Sequence, residues 1–221
     1  MAQRFDITGG SVAQRVSVGL AKIGMALKAR AWRAAGPTHL TPTQGQALAT
    51  LRGRRELRLD ALAAELGVTA PTASEAVAVL VAKGLVARAR STTDGRAIAL
   101  SLTAAGSAAA DSVADWPDFL VRALDRLDAD EQTAFLRSLT KIIRGLQEAG
   151  DIPVQRMCVG CAYFQPNVHD GERPHHCAFV DAAFGDRHLR FDCAEHFPAD
   201  PPDAAAAWRR WTAPLPTGDL P

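Results

Sequence analysis

Residues 59–103 read "LDALAAELGVTAPTASEAVAVLVAKGLVARARSTTDGRAIALSLT". Leu59, Leu62, Ala63 and Leu66 share one helical face, and Gly67 stops that helix. Thr69 restarts the chain as an N-cap, with Pro71 in the first turn, where a missing N–H costs nothing. Ala73, Val77, Leu80 and Val81 are the expected core face of the second helix, which ends at Gly84. The period then changes from helical to alternating. Leu85, Val86, Ile98, Leu100 and Leu102 alternate with other residues around "TTDGR", a hairpin with an Asp-Gly turn. Helix, tight joint, helix and hairpin together make a helix-turn-helix with a wing.

Outward from this stretch the chain is mostly helical. Upstream, residues 11–35 carry Val12, Val16, Leu20, Ile23, Leu27 and Trp32 at helical spacing after a capping Ser11. Thr41, Pro42 and Gln44 form a capping-box arrangement for a second helix, whose apolar positions are Ala47, Leu48 and Leu51. Downstream, helix resumes at Thr103, Pro117 interrupts it, and Asp128 opens a long helix striped with Leu136, Leu139, Ile142, Ile143 and Leu146. There is no internal repeat. Residues 199–221 are rich in Pro, Ala and Asp and read as a partly disordered tail, apart from "AAAAWRRW".

The 221 residues allow one large domain, or one domain with a small appendage. The 25 basic and 24 acidic residues nearly cancel, but unevenly. Residues 151–221 hold six Arg, no Lys and ten Asp or Glu, a net of −4, which leaves +5 for residues 1–150. A basic front and an acidic rear point to separate jobs. No apolar run approaches the roughly 18 residues that a membrane span needs. The opening "MAQRFDITGG" lacks a secretory pattern. A cytoplasmic protein with no membrane partner is expected, and there thiols stay reduced. No phosphate-cradling loop and no nucleophile–base motif is present, so an enzyme is not expected.

"LTPTQGQALATL", the 59–103 stretch with its following "AAG", and "LDADEQTAFLRSLTKI" resemble the MarR-type winged-helix regulators, in that family's order, over about residues 10–150. The resemblance implies a homodimer formed by the first and last helices. It also implies one recognition helix per half-site of a palindromic double-stranded DNA operator. Residues 69–83 are the implied recognition helix. Thr69, Thr72 and Ser74 offer short hydroxyls to phosphates or base edges, and Glu75 accepts from a cytosine amino group while repelling phosphates. Arg96 at the wing tip is implied to reach the minor groove, with Asp94 orienting the tip. Arg88 and Arg90 lie on the wing strand near phosphates. Thr69 and Thr72 also read simply as caps, and Arg88 and Arg90 as solvated charges. The basic cluster at 52–58 is a further candidate for the DNA backbone.

All four cysteines fall in residues 158–193, spaced C-x2-C-x15-C-x15-C. Four cysteines in a cytoplasmic protein suit a metal better than two disulfides. Cys158, Cys161, Cys177 and Cys193 could surround one Zn(II) or one [4Fe–4S] cluster. Cys193 and His196 have zinc-knuckle spacing, so a Cys3His zinc site is an alternative that strands Cys177. The spacing is similar to that of the high-potential iron–sulfur proteins, with Tyr163, Phe164 and Phe179 following their cysteines in like fashion. That resemblance covers some 40 residues, and Phe191–Asp192 replaces the Gly-Trp expected before the last cysteine. It implies that all four cysteines hold the cluster.

The expected fold class is mainly α with a small β wing: a winged helix-turn-helix, a helical dimerisation region and a small C-terminal metal-binding lobe. The expected domains are 1–150 for DNA binding and dimerisation, 151–198 for the cysteine-rich lobe and 199–221 for the tail. The expected function is a DNA-binding transcriptional repressor modulated by an iron–sulfur cluster that senses redox state, oxygen or nitric oxide. One alternative is a repressor with a zinc lobe and a small-molecule effector. Another is an electron-transfer module that has lost DNA binding.

Overall fold

The computed structural model describes residues 10–38, 40–54, 56–91, 95–114 and 118–213. The chain forms two compact units, Met1–Arg122 and Ala123–Pro221. No single described helix is long and apolar enough to cross a membrane.

The first unit runs α1 (Val12–Thr38), α2 (Pro42–Arg52), β1 (Leu57–Arg58), α3 (Leu59–Leu66), α4 (Ala70–Ala82), β2 (Val86–Arg90), β3 (Ile98–Leu102) and α5 (Ala104–Ala114). The expected capping box is present at α2. Thr41 Oγ1 accepts the Gln44 N–H, and Gln44 Oε1 accepts the Thr41 N–H. Gly67 adopts the left-handed conformation, φ 64°, that ends α3 and lets the chain turn by 109° into α4. Leu40, Leu48, Leu51, Leu62, Val77, Leu80, Val86 and Leu100 close one apolar core. The strands pair antiparallel in the order β1-β3-β2, with Arg88 opposite Leu100 and Arg90 opposite Ile98. β1 is a difference from the sequence reading. Leu57 and Arg58 pair with Leu100 and Ala99, because β3 leaves an edge open there.

"LTAAG" also has a physical reason. The Thr103 hydroxyl donates to the Gly84 carbonyl at 2.7 Å and accepts the Gly106 N–H at 3.0 Å. A Cβ at Gly106 would overlap the Leu85 carbonyl, so α5 lies against the base of the wing only with glycine there. α6 (Asp118–Leu124) ends this unit and leads into the next.

The second unit contains α7 (Ala129–Ala149), β4 (Phe164–Gln165), β5 (His175–Cys177), β6 (Ala182–Phe184) and α8 (Pro201–Thr212), with short 3-10 turns at Cys158–Gly160 and Asp186–His188. Asp128 and Glu131 make the capping box that opens α7. The antiparallel sheet runs β4-β5-β6. Met157, Val159, Phe164, Leu189 and Trp211 form its core, and Leu136 and Ile143 of α7 pack on it. The expected break at residue 150 and the expected tail from 199 both fall inside this unit. The reason is Trp208 and Trp211: their rings, 5.2 Å apart, lie beneath Arg144 and Arg137 of α7. That burial converts a Pro/Ala-rich segment into a docked helix.

Candidate nucleic-acid surface and cysteine cavity

In α4, Ala73, Ala76, Val77 and Leu80 point into the core, and Pro71, Thr72, Glu75, Ala78 and Val79 face solvent. Thr69 is the N-cap: its Oγ1 accepts the Thr72 N–H at 3.4 Å, and the two hydroxyls lie 3.0 Å apart. Both threonines stay exposed, so capping and surface presentation coexist. Ser74 is half-buried, at the edge of this face. The exposed face holds hydroxyl, carboxylate and small apolar groups, and no cation.

Cations come from the wing. Arg88, Arg90 and Arg96 are all exposed there. Arg90 Nη1 donates to the Gly95 carbonyl at 2.9 Å, which braces the wing tip. Ser91 Oγ donates to Glu56 at 2.6 Å, tying the wing to the residue before β1. Asp94 lies outside the described residues. Among the described residues of the basic cluster at 52–58, each arginine has an acidic partner. Arg52 pairs with Asp111, Arg54 with Glu65 at 2.6 Å, and Arg58 with Asp60 at 3.2 Å, while Arg55 lies outside the described residues.

In the second unit all four cysteines are free, half-buried thiols. Cys158 sits on a 3-10 turn, Cys161 at a bridge to Pro198, Cys177 on β5 and Cys193 in the loop after Leu189. Together they line one cavity of about 330 Å³, walled by Tyr163, Phe164, Phe179 and Phe184. Burial pushes the Cys158 thiol up, and the nearness of Cys193, Cys161 and Cys177 adds to the rise. The Arg190 N–H opposes it, donating to Cys158 Sγ at 3.4 Å.

Among the described residues no three His, Cys, Asp or Glu side chains surround a point closely enough to hold a single ion. A tetrahedral zinc with sulfur at about 2.3 Å needs its ligands about 3.8 Å apart. His196, the alternative ligand, is not among the cavity-lining residues, and its Nε2 is buried without a hydrogen-bond partner. His188 lines the cavity, with Nδ1 accepting the Gly185 N–H at 3.2 Å.

The sequence reading missed the polar knot behind this cavity. Asp186 Oδ1 accepts from Trp211 Nε1 at 2.7 Å and from His175 Nε2 at 3.1 Å. Its Oδ2 accepts from Arg137 Nη1 at 2.6 Å, and Arg137 Nη2 donates to the Trp211 carbonyl at 2.7 Å. Burial alone would raise the Asp186 pKa. The His175, Trp211 and Arg137 bonds overcome that and hold it at about 2. His175 also packs edge-on against Phe164 and Phe184 of the cavity wall. The knot thus joins the cavity wall to α7 and α8. Its members are spread from 137 to 211, so no local motif announces it.

Comparison with known proteins bears on the first unit. Residues 40–97 match the model of the MarR family. Three solved structures have similar folds. MepR of S. aureus in its DNA-binding conformation is 25% identical, with a TM-score of 0.54 over 60% of this chain and 98% of that one. A point mutant of MepR from a multidrug-resistant S. aureus clinical isolate is 24% identical, with a TM-score of 0.50 over 60% and 97%. The reduced form of MarR from E. coli is 20% identical, with a TM-score of 0.48 over 60% and 96%. No curated protein matches the chain. The segment from Leu40 to Ala97, with its capped α4 and its wing, is similar to the winged helix of the MarR family, within a chain that extends well beyond it.

Proposed function

We propose that this protein is a dimeric, DNA-binding transcriptional repressor whose operator affinity follows the state of a [4Fe–4S] cluster held by Cys158, Cys161, Cys177 and Cys193. The observation that carries DNA binding is the MarR-type segment at 40–97, with a solvent-facing α4 and the wing arginines beside it. The similarity to MepR, solved in a DNA-binding conformation, supports it. Thr72, Ala78 and Val79 suit methyl and hydroxyl contacts in a major groove, and Glu75 suits a cytosine amino group. Arg88, Arg90 and Arg96 supply the phosphate and minor-groove charge.

Dimerisation is supported by apolar side chains that find no cover within their own unit. Val12, Val16, Val18, Ile23 and Met25 of α1 are exposed, as are Ile142 and Leu146 of α7.

The cluster reading is supported by four free thiols around a cavity walled by aromatics. When bound, the cluster supplies a centre that loses or changes iron on meeting oxidants or nitric oxide. Tyr163, Phe164, Phe179 and Phe184 would give it an aromatic wall, and the Arg190 N–H would stabilise the Cys158 sulfur. The Arg137–Asp186–Trp211 knot carries a change in the cavity wall to α7, a helix expected to serve the dimer. A switch of this kind needs a cluster that binds one dimer geometry better than the other.

The test is selection from a random duplex pool after anaerobic purification, with iron counted per chain. Four irons, with enrichment of a palindrome that weakens when the cluster is removed, is the expected result. Failure to enrich any duplex in either state ends the regulator reading. A colourless chain with one zinc ends the cluster reading alone.

A further inference from the structure

We propose that His169 and His176 form a second metal site, separate from the cysteine cavity, which takes a borderline divalent cation such as Zn(II) with water as its remaining ligands. The proposal goes beyond the function above and needs no particular occupant of the cavity. His169 Nε2 and His176 Nδ1 lie 3.3 Å apart. Two nitrogens bound to one tetrahedral zinc at about 2.0–2.1 Å are separated by about 3.3–3.4 Å. The two nitrogens therefore already stand one edge of that tetrahedron apart. The rings meet edge to face, with centroids 5.3 Å apart.

The other nitrogen of His176 sets the tautomer. His176 Nε2 lies 3.2 Å from Asp181 Oδ1, so its hydrogen points to the carboxylate and Nδ1 keeps a bare lone pair. A carboxylate behind the ligating imidazole is the usual means of orienting a metal-bound histidine. With that tautomer, His169 Nε2–H donates to His176 Nδ1. Binding moves that proton through solvent to His169 Nδ1, so His169 stays neutral and its Nε2 lone pair is free for the cation beside that of His176 Nδ1.

The backbone holds the pair in place. Strand alternation sends the buried His175 to one face of β5 and His176 to the other. The Val168 and His169 N–H groups both donate to the Pro174 carbonyl, at 2.8 and 3.1 Å, closing the 167–174 loop beside β5. Asn167 and Asp181, at φ 53° and 50°, make the two turns that bring His169 and the carboxylate to His176. They are the only non-glycine residues in the left-handed region among the described residues, and Asn and Asp are the types that tolerate it. No third described His, Cys, Asp or Glu completes the set, which is why water fills the remaining positions. A bound ion would staple the loop to β5, one residue from Cys177.

The test fills the cysteine cavity by anaerobic reconstitution, then dialyses the full chain against micromolar Zn(II) and counts zinc and iron. Wild type is expected to keep its iron and take up one further zinc. His169→Ala and His176→Ala are expected to lose that zinc at unchanged iron content, and Asp181→Asn to bind it about tenfold more weakly. Equal zinc in wild type and both histidine variants, or no zinc in wild type, overturns the proposal. If the chain never accepts iron, the cluster reading fails and Co(II) replaces Zn(II) as probe. Thiolate-bound Co(II) shows an intense near-ultraviolet charge-transfer band that imidazole-bound Co(II) lacks. A weak visible band lost in His169→Ala then supports the histidine site, and its persistence overturns it.

Discussion

Leu48 and Trp211 are both fully buried, one in each unit, but they are surrounded by different materials. Leu48 belongs to an aliphatic cluster built by α2, α3, α4 and the sheet. Trp211 lies under a guanidinium and donates to a carboxylate that two other side chains also use. The first unit is held by area removed from water, which is non-directional and forgiving. The second has few regular elements and relies on a satisfied buried polar knot, where every partner is needed.

That contrast predicts where the chain breaks. Asp186→Ala leaves Arg137, His175 and the Trp211 indole without their common acceptor, and is expected to cost about 3–5 kcal/mol, read by thermal or urea unfolding of the second unit. Leu48→Ala is expected to cost about 2–5 kcal/mol in the first unit, with the spread set by how far the cavity collapses. Asp186→Asn should be nearly as damaging as Asp186→Ala despite its conserved shape. Leu48→Met should be nearly neutral. If Asp186→Asn is neutral as well, the second unit is packed like the first and the contrast falls.

Acid sharpens the comparison. Asp186 is depressed to about 2 in the folded state, against 3.8 for the free side chain. Its contribution is complete above the free-chain value of 3.8 and is lost as pH falls toward about 2, since the unfolded chain then binds a proton more readily than the folded one. The second unit should therefore lose stability over that window, and Asp186→Asn should remove this part of the loss. Unfolding followed by the fluorescence of Trp208 and Trp211 against pH reads it.

The same contrast explains what was legible. Period and punctuation reveal the first unit: Gly67, Thr69 and Gly84 act through local backbone physics, so local sequence suffices. The α4 core face of Ala73, Val77 and Leu80 reads directly from the sequence, and Val81 proves half-buried. β1 is not legible, because two residues carry no period and their pairing with β3 is non-local. In the second unit the four cysteines are legible as a set by spacing, and they do line one cavity. The docking of α8 and the Asp186 knot are not, because both join residues distant in sequence. Charge at 52–58 misleads for the same reason: the partners Glu65 and Asp111 lie elsewhere in the sequence.

Gly106 offers a smaller test within the first unit. Any Cβ there meets the Leu85 carbonyl, and backbone is slow to yield. Gly106→Ala is expected to cost about 1–3 kcal/mol, although alanine is the better helix former. A stabilised variant would mean that α5 does not sit against the wing base as described.

The smallest effect separates two roles in one residue. Thr69 caps α4 and also stands exposed at its N-terminus, where the DNA surface is proposed. Thr69→Ala removes the cap and is expected to cost about 1 kcal/mol of stability. Thr69→Asp keeps a capping oxygen and favours the helix dipole, so stability should hold or rise slightly. The added negative charge would meet a phosphate, so DNA affinity should fall while folding does not. Measuring unfolding and DNA binding on the same pair of variants therefore splits cap from contact. If Thr69→Asp binds DNA as well as wild type, the N-terminus of α4 does not approach the backbone, and recognition must come from the face of Thr72, Glu75 and Val79.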